Sequence, residues 1–299
     1  MKKITLIAII ALVSGTLSAQ QLGQFSQFFM NKYVINPAVG GTSHYFDVKS
    51  SYRYQWVGID DAPRTFVLSM QGPLNERNNM GIGGYVYSDV TGPTRRTGFK
   101  ISYAYNFKVS DEIKLSFGLS GGLMQFSVDG SDMELADNND VALGNTLTSA
   151  YTPDAAFGIY LYHDNWYVSV SIPQLIGTEM KFLDNHTNSL NKLQNHYYFN
   201  AGYTFNIGDN WGIEPMVQLK YIPPLDPQID GGLRVIYNEM IFLGGTYRTE
   251  SGPTVFAGVQ VAENFTLSYS YDIITTEIGR VSSGSHELLL GLKFHQRND

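Results

Sequence analysis

The stretch GFKISYAYNF, residues 98–107, decides the fold because its side chains alternate in size and polarity with a period of two. One face receives the large apolar side chains, Phe99, Ile101, Tyr103, Tyr105 and Phe107. The opposite face receives small or polar side chains, Gly98, Lys100, Ser102, Ala104 and Asn106. Successive side chains of a β-strand point to opposite faces, so this pattern predicts a strand with one apolar face.

The same alternation recurs along the chain, for example in IKLSFGLS at residues 113–120 and YYFNAGYTFNI at residues 197–207. Glycine, aspartate and asparagine separate many of these segments, as turns require. The sequence predicts fourteen strands, near residues 43–56, 62–72, 79–88, 94–107, 113–127, 152–162, 165–173, 195–207, 211–222, 228–237, 240–248, 253–262, 264–272 and 285–295.

Composition narrows the class of protein to two. Charged residues make up only 16% of the chain, against roughly a quarter in ordinary soluble domains. Tyrosine and phenylalanine are abundant, at 20 and 17 residues, yet no apolar run of about 20 residues that could form a membrane helix follows residue 19. A soluble β-sandwich and a transmembrane β-barrel both fit this composition.

The lengths of the connections favour the barrel. Those after even-numbered strands are all short: residues 73–78, 108–112, 163–164, 208–210, 238–239 and 263. The long ones, residues 128–151, 174–194 and 273–284, all follow odd-numbered strands. Outer-membrane barrels have short periplasmic turns and long extracellular loops. Residues 43–299 are therefore predicted to form a transmembrane outer-membrane β-barrel of about fourteen antiparallel strands.

In such a barrel the apolar faces contact outer-membrane lipid and the polar faces line the lumen. The charged residues expected in the lumen are Lys100, Lys114, Glu214, Lys220, Arg234, Asp272 and Lys293. Many other lumen positions are Gly, Ser or Ala, which do not fill a wide barrel. The sequence therefore predicts a lumen that either conducts or is plugged.

The chain begins with two segments that do not alternate. Lys2 and Lys3 precede an apolar run, and a small residue closes Leu17-Ser18-Ala19, so residues 1–19 are predicted to be a signal peptide for export. In residues 20–42, the spacing of Phe25, Phe28, Phe29, Lys32 and Tyr33 predicts about one and a half turns of amphipathic helix. This segment is either a plug or periplasmic docking element, or a strap across the lower rim.

Several chemistries are disfavoured. The chain has no cysteine, and its net charge of −7 argues against nucleic-acid binding. Its six histidines lie in six different regions, none of which contains a G-x-S-x-G motif, so neither an enzyme nor a cofactor is expected. The loop 128–151 is acidic and leaves Ca²⁺ binding open, although a solvated loop is favoured; its acidic residues are Asp129, Asp132, Glu134, Asp137 and Asp140.

Two stretches resemble a known family. INPAVGG, residues 35–41, and YRYQWVGIDDAPRTF, residues 52–66, are similar to the N-terminal signature of the PorP/SprF family, outer-membrane proteins of type IX secretion and gliding motility. Ser285-His286-Glu287-Leu288 resembles the family's last strand. Asp60-Asp61 departs from the family's expected glycine-containing turn. The matching positions are Asn36, Pro37, Ala38, Gly41, Arg53, Gln55, Trp56, Gly58, Pro63 and Thr65.

The resemblance implies a non-enzymatic barrel without a cofactor. Its partner would be a secreted surface adhesin, through that protein's C-terminal domain, or the periplasmic components of type IX secretion. The matching positions then become candidate partner-binding residues. For Arg53 and Trp56, a cation–π pair within the loop is the favoured structural interpretation. The alternative function is a channel for hydrophobic or small solutes, resembling fatty-acid transporter barrels of the FadL kind.

Overall fold

The fold is a closed antiparallel β-barrel. A computed structural model describes residues 23–130, 147–176, 194–262 and 264–294. The strands, numbered β1 to β14, are Phe46–Tyr54, Arg64–Pro73, Met80–Thr91, Thr94–Lys108, Lys114–Asp129, Leu147–Tyr162, Trp166–Ile172, Tyr197–Tyr203 continued by Phe205–Ile207, Trp211–Tyr221, Gln228–Tyr237, Ile241–Arg248, Gly252–Val261, Phe265–Asp272 and Ser285–Phe294.

The first and last strands close the barrel. Strand β1 pairs with β2 on one side and with β14 on the other, where Phe46 faces Phe294 and Tyr54 faces His286. Every other strand pairs with its two sequence neighbours. Closure leaves no edge strand, so the backbone polar groups of the wall pair within it, as a membrane requires. The predicted fourteen-strand barrel is confirmed.

Strand β8 is interrupted at Thr204 without a change of register. Gly202 faces Met216 on one side of the break, and Phe205 faces Ile213 on the other. The Thr204 N–H donates to the carbonyl of Asn165, at 2.7 Å, in the turn before β7. The eighth predicted strand is therefore one strand with a local break.

The two ends of the barrel differ. The six connections after even-numbered strands, which include residues 109–113, 163–165 and 208–210, define the short-turn end. The connections after odd-numbered strands define the long-loop end. There, the loops 55–63 and 273–284 are joined by two backbone hydrogen bonds, from Val57 to Gly284 and from Ser283 to Val57.

The faces of each strand divide as the alternation predicts. In β2, Phe66, Leu68 and Met70 are exposed on the outside, whereas Thr65 and Ser69 are buried inside. Aromatic residues gather near the strand ends, where Trp211 lies against Tyr237 with ring centroids 4.6 Å apart. Such an apolar belt with aromatic margins suits a lipid environment.

Helices are few and short in the described part of the chain. One helical turn, α1, spans Lys32–Ile35, and 3₁₀ turns span Pro37–Val39 and Glu277–Arg280. None of the helices in residues 23–130, 147–176, 194–262 and 264–294 has the length and apolar character to cross a membrane. The predicted signal peptide, residues 1–19, and Asp132, Glu134, Asp137 and Asp140 lie outside the described residues.

Candidate functional site

The lumen contains the chain's own N-terminal portion. Residues 23–41, here called the lumen segment, run along the inside of the barrel from one end to the other. Gly23 lies against Thr65 and near Asp89 at the long-loop end, and Gly41 lies against Gly81 at the short-turn end. Most side chains of this segment are buried.

At the long-loop end, Arg53 of β1 organises a buried cluster of charges. Its guanidinium donates to Asp272 at 2.6 Å, lies 3.4 Å from Glu287, and bonds the hydroxyl of Ser26. The Ser26 backbone N–H donates to Glu287 at 2.7 Å, and its hydroxyl donates to Asp272. Opposite charges that share hydrogen bonds compensate one another's loss of water. The lumen segment is thereby bonded to three strands at once.

Two further wall arginines hold the lumen segment. Arg248 is paired with Asp230 at 2.8 Å, and it donates to the carbonyl of Phe25 at 3.0 Å. Arg234 is paired with Glu214, and its guanidinium lies 5.3 Å from the centre of the Phe29 ring. Each arginine therefore joins a wall carboxylate to the segment.

Arg248 also bears on a wrong helix prediction. The expected helix from Phe25 onward begins only at Lys32. The Phe25 carbonyl accepts a hydrogen bond from Arg248, whereas in a helix it would accept the N–H of Phe29. The Ser26 N–H, which the first turn of a helix leaves without an intrahelical partner, is bonded to Glu287. The barrel wall supplies partners that a sequence pattern does not reveal.

An aromatic cluster fills the middle of the barrel. Phe28 and Phe29 are buried against Tyr198, Met216, Phe242 and Phe256. The Phe29 ring centre lies 4.5 Å from that of Phe256. Tyr33 bonds the hydroxyl of Ser102 at 2.6 Å, and the ammonium of Lys32 lies 3.5 Å from the centre of the Tyr167 ring.

At the short-turn end, Asn36 joins the segment to the wall. Its amide nitrogen donates to Ser169 at 2.8 Å and to the carbonyl of Ile159 at 3.0 Å. Its amide oxygen accepts the Ala38 N–H at 2.8 Å and so caps the 3₁₀ turn. The Asn36 side chain lies so close to Gly158 that any larger residue at position 158 would clash with it.

Two other wall glycines, Gly118 and Gly81, contact the backbone of residues 37–41. The backbone of Pro37 and Ala38 lies against Gly118, and that of Gly40 and Gly41 lies against Gly81. Gly41 has a φ of +69°, which disfavours other residues. Its N–H donates to Gln71 at 2.8 Å, and its carbonyl accepts from Asn106 at 3.1 Å.

The remaining signature residues stabilise the long-loop end. The backbone N–H of Gln55 donates to the carbonyl of Pro63 across loop 55–63 at 2.9 Å. Trp56 has a φ of +49°, and its backbone N–H donates to the hydroxyl of Ser285 at 3.1 Å. Gly58, with a φ of +101°, lies against the carbonyl of Val281. Pro63 is buried, and Thr65 donates to Asp89 at 2.6 Å.

The structure thus separates the signature into two groups. Asn36, Pro37 and Gly41 meet the wall at the short-turn end, whereas the residues from Arg53 to Thr65 lie at the long-loop end. The expected cation–π pair of Arg53 with Trp56 is not found among the described residues, because the Arg53 guanidinium points to Asp272, Glu287 and Ser26. Gly58 and Asp61 have positive φ, so loop 55–63 turns despite Asp60-Asp61.

Sequence reasoning missed the partners of these residues. Asp272 was expected in the lumen, but its pairing with Arg53, 219 positions away, has no local signal. The same holds for Gly158 beneath Asn36. The alternation places Glu287 on the face of the last strand opposite Leu288 and Leu290, but no local signal indicates its contacts with Arg53 and Ser26.

The lumen segment leaves a cavity between itself and the wall at the long-loop end. The free space there, counted together with the part open to solvent, is about 870 Å³. Phe25, Phe28, Val34, Met124 and Tyr198 give it apolar walls. Its charged lining residues are Asp89, Arg96, Lys100, Asp154, Lys220 and Arg248. No group of three or more His, Asp or Glu side chains suited to a metal ion occurs within the described ranges.

Comparison with solved structures returns other outer-membrane proteins at low identity. The outer membrane protein Omp33 of Acinetobacter baumannii is 7% identical, with 85% of this chain and 100% of that chain covered and a TM-score of 0.48. A FadL homologue of Pseudomonas aeruginosa is 9% identical, with coverages of 87% and 92% and a TM-score of 0.48. The monoaromatic hydrocarbon channel CymD is 10% identical, with coverages of 91% and 92% and a TM-score of 0.48.

Sequence comparison identifies the family. No curated protein matches the chain. The family model described as type IX secretion system membrane protein PorP/SprF matches residues 17–292, which is nearly the whole chain. That range includes both the lumen segment and the barrel. The chain therefore belongs to the PorP/SprF family of type IX secretion system membrane proteins.

Proposed function

We propose that this barrel is a non-enzymatic, plugged component of type IX secretion that binds an exported surface adhesin at its long-loop end. The observation that carries the proposal is the lumen segment, which is bonded to the wall at both ends of the barrel. Family membership supplies the link to secretion.

The contacts of the lumen segment argue for a closed barrel. Buried ion pairs of Arg53, Arg234 and Arg248 hold its first half, and glycine contacts at Gly81, Gly118 and Gly158 hold its second half. A segment bonded in so many places leaves the barrel only at a large cost in free energy. A closed barrel suits a docking element better than a conduit.

The long-loop end offers a surface for the adhesin's C-terminal domain. Loops 55–63 and 273–284 are hydrogen-bonded to each other, and these bonds restrict the movement of their exposed residues. Val281 is 67% exposed there. The second half of our proposal is that this end faces the cell exterior, because long loops do so in bacterial barrels.

A pair of matched variants tests which end binds the partner. Val281→Asp places a charge on the long-loop end, and Val109→Asp does the same in the short turn after β4, where Val109 is 60% exposed. Tagged proteins are purified from native outer membranes in mild detergent, and bound proteins are identified by mass spectrometry. We expect Val281→Asp to reduce adhesin recovery and Val109→Asp to leave it unchanged.

The opposite pattern would favour periplasmic secretion components, in place of the adhesin, as the partner. Loss of periplasmic secretion components with Val109→Asp, and no adhesin with the unmodified chain, would make the barrel a link between the translocation machinery and the outer membrane. A strain lacking the gene that still secretes and displays all its surface proteins would contradict both forms.

The cavity at the long-loop end favours a second candidate, a channel for hydrophobic or small solutes. Its apolar walls and opening suit such a ligand. The lumen segment below it argues against passage through the barrel. Uptake of labelled solutes by vesicles that contain the barrel separates the two, since a plugged docking barrel transports none.

A further inference from the structure

We infer that the long-loop cavity is a binding site for a carboxylate attached to an apolar chain, with the ammonium of Lys220 as the group that recognises it. This inference goes beyond the secretion role and does not depend on it. It rests on three observations about the cavity: its walls, its charges and one unsatisfied cation.

The first observation is the mixed character of the walls. Phe25 and Phe28 from the lumen segment line the cavity together with Met124 and Tyr198 from the barrel. Apolar walls with a small number of polar groups are typical of sites for small amphiphilic ligands. A fully polar ligand would gain little from this lining.

The second observation is the sign of the charge. The whole chain carries a net charge of −7, yet four cationic side chains line the cavity against two carboxylates. Lys100 is paired with Asp154 at 2.9 Å, and Arg248 is paired with Asp230. With Asp230 counted, four cations stand against three carboxylates, so the local charge remains positive and favours an anion.

The third observation is Lys220 itself. Its side chain lines the cavity and is only 4% exposed. Its Nζ atom has no hydrogen-bond partner among the residues that the structure describes. The neighbouring carboxylate of Asp230 is already used by Arg248 and Gln228. A buried ammonium without a partner is costly, and a ligand carboxylate would satisfy it with a charge-assisted hydrogen bond.

The cavity lies at the long-loop end, so we take this end as the ligand's route of entry. The required chemistry is one carboxylate at the end of an apolar body, and it can come from a free aliphatic acid or from the C-terminus of a polypeptide. The carboxylate lies at Lys220, and the apolar body lies against Phe25 and Phe28.

Binding is measured on the full purified chain in nanodiscs by isothermal titration calorimetry. One arm uses decanoate with decanol as its uncharged counterpart, and the other uses an apolar hexapeptide with a free or an amidated C-terminus. Lys220→Met removes the ammonium and keeps an apolar stem. Lys114→Met is the matched control, since Lys114 lies at the short-turn end, away from the cavity.

We expect saturable binding of the carboxylate form in at least one arm, and weakening by Lys220→Met of at least about tenfold. Lys114→Met should bind as the unmodified chain does, and the stronger arm identifies the source of the carboxylate. Equal binding of charged and uncharged ligands, equal binding by Lys220→Met, or no saturable binding in either arm would overturn the inference. Unchanged migration of unheated Lys220→Met in gel electrophoresis verifies that the variant is folded.

Discussion

The Asn36 side chain occupies the volume in which a Cβ atom on Gly158 would have to lie. One residue belongs to the lumen segment and the other to β6, more than a hundred positions later. The same amide that fills this space also bonds Ile159, Ser169 and Ala38. Steric fit and hydrogen bonding at one point therefore fix the segment against the wall.

Gly158→Ala should destabilise the barrel by about 1–3 kcal/mol, because a tightly packed site has no room for an added methyl group. The midpoint of thermal unfolding, followed by loss of the fast-migrating folded form in gel electrophoresis, measures the effect. Gly121→Ala is the matched control, since a Cβ there meets nothing within 4 Å. Equal midpoints for the two variants would contradict this account of Asn36.

Arg53→Met should cost about 3–5 kcal/mol, because it leaves Asp272 and Glu287 buried without their cation. Arg280→Gln is the control: Arg280 also forms an ion pair, with Glu277, but it is 77% exposed, and such pairs contribute about 0–1 kcal/mol. Urea unfolding compares the two. Adding Glu287→Gln to Arg53→Met should recover part of the loss, and no recovery would argue against a charge effect.

In planar lipid bilayers the unmodified chain should show no stable open channel, because the lumen segment is bonded to the wall from one end of the barrel to the other. Replacing both Phe28 and Phe29 with alanine removes the aromatic cluster around Phe256 and should produce transient openings. The single variant Phe66→Ala changes a lipid-facing ring instead and should stay closed. A steady pore in the unmodified chain would refute the plugged state.

Stability should fall as the pH drops from about 6.5 to 4, in part through His196. This residue precedes β8 at the long-loop end and is fully buried. Burial, and then the nearby charge of Lys220, lowers its pKa from the ordinary 6.5 to about 4. The unfolded chain therefore binds a proton in this range that the folded chain refuses, so acid favours unfolding.

His196→Gln should reduce the slope of stability against pH between about 4 and 6.5. Above pH 7 the slope should be the same as in the unmodified chain. Unfolding midpoints in urea between pH 4 and 7.5 give the slope for both proteins. His163→Gln is the control, because His163 lies in a short turn at the other end. An identical slope in His196→Gln and the unmodified chain would show that other groups carry the acid effect.

The sequence by itself determined the barrel. Strict alternation in stretches such as 98–107, together with short connections after every even strand, defined fourteen strands and their two faces. Lys100, Glu214, Lys220 and Asp272 were correctly expected inside, since a strand's side-chain period of two is a local property. The family signature was also visible, because short motifs need no knowledge of the fold.

Only the tertiary structure decided what the lumen contains. Residues 25–33 carry a helical spacing, but Arg248 of the wall bonds the carbonyl of Phe25, and the helix forms only at Lys32. Arg53 pairs with Asp272 and not with nearby Trp56, and Asn36 meets Gly158. These contacts join residues far apart in sequence, and barrel closure brings them together, so no local pattern encodes them.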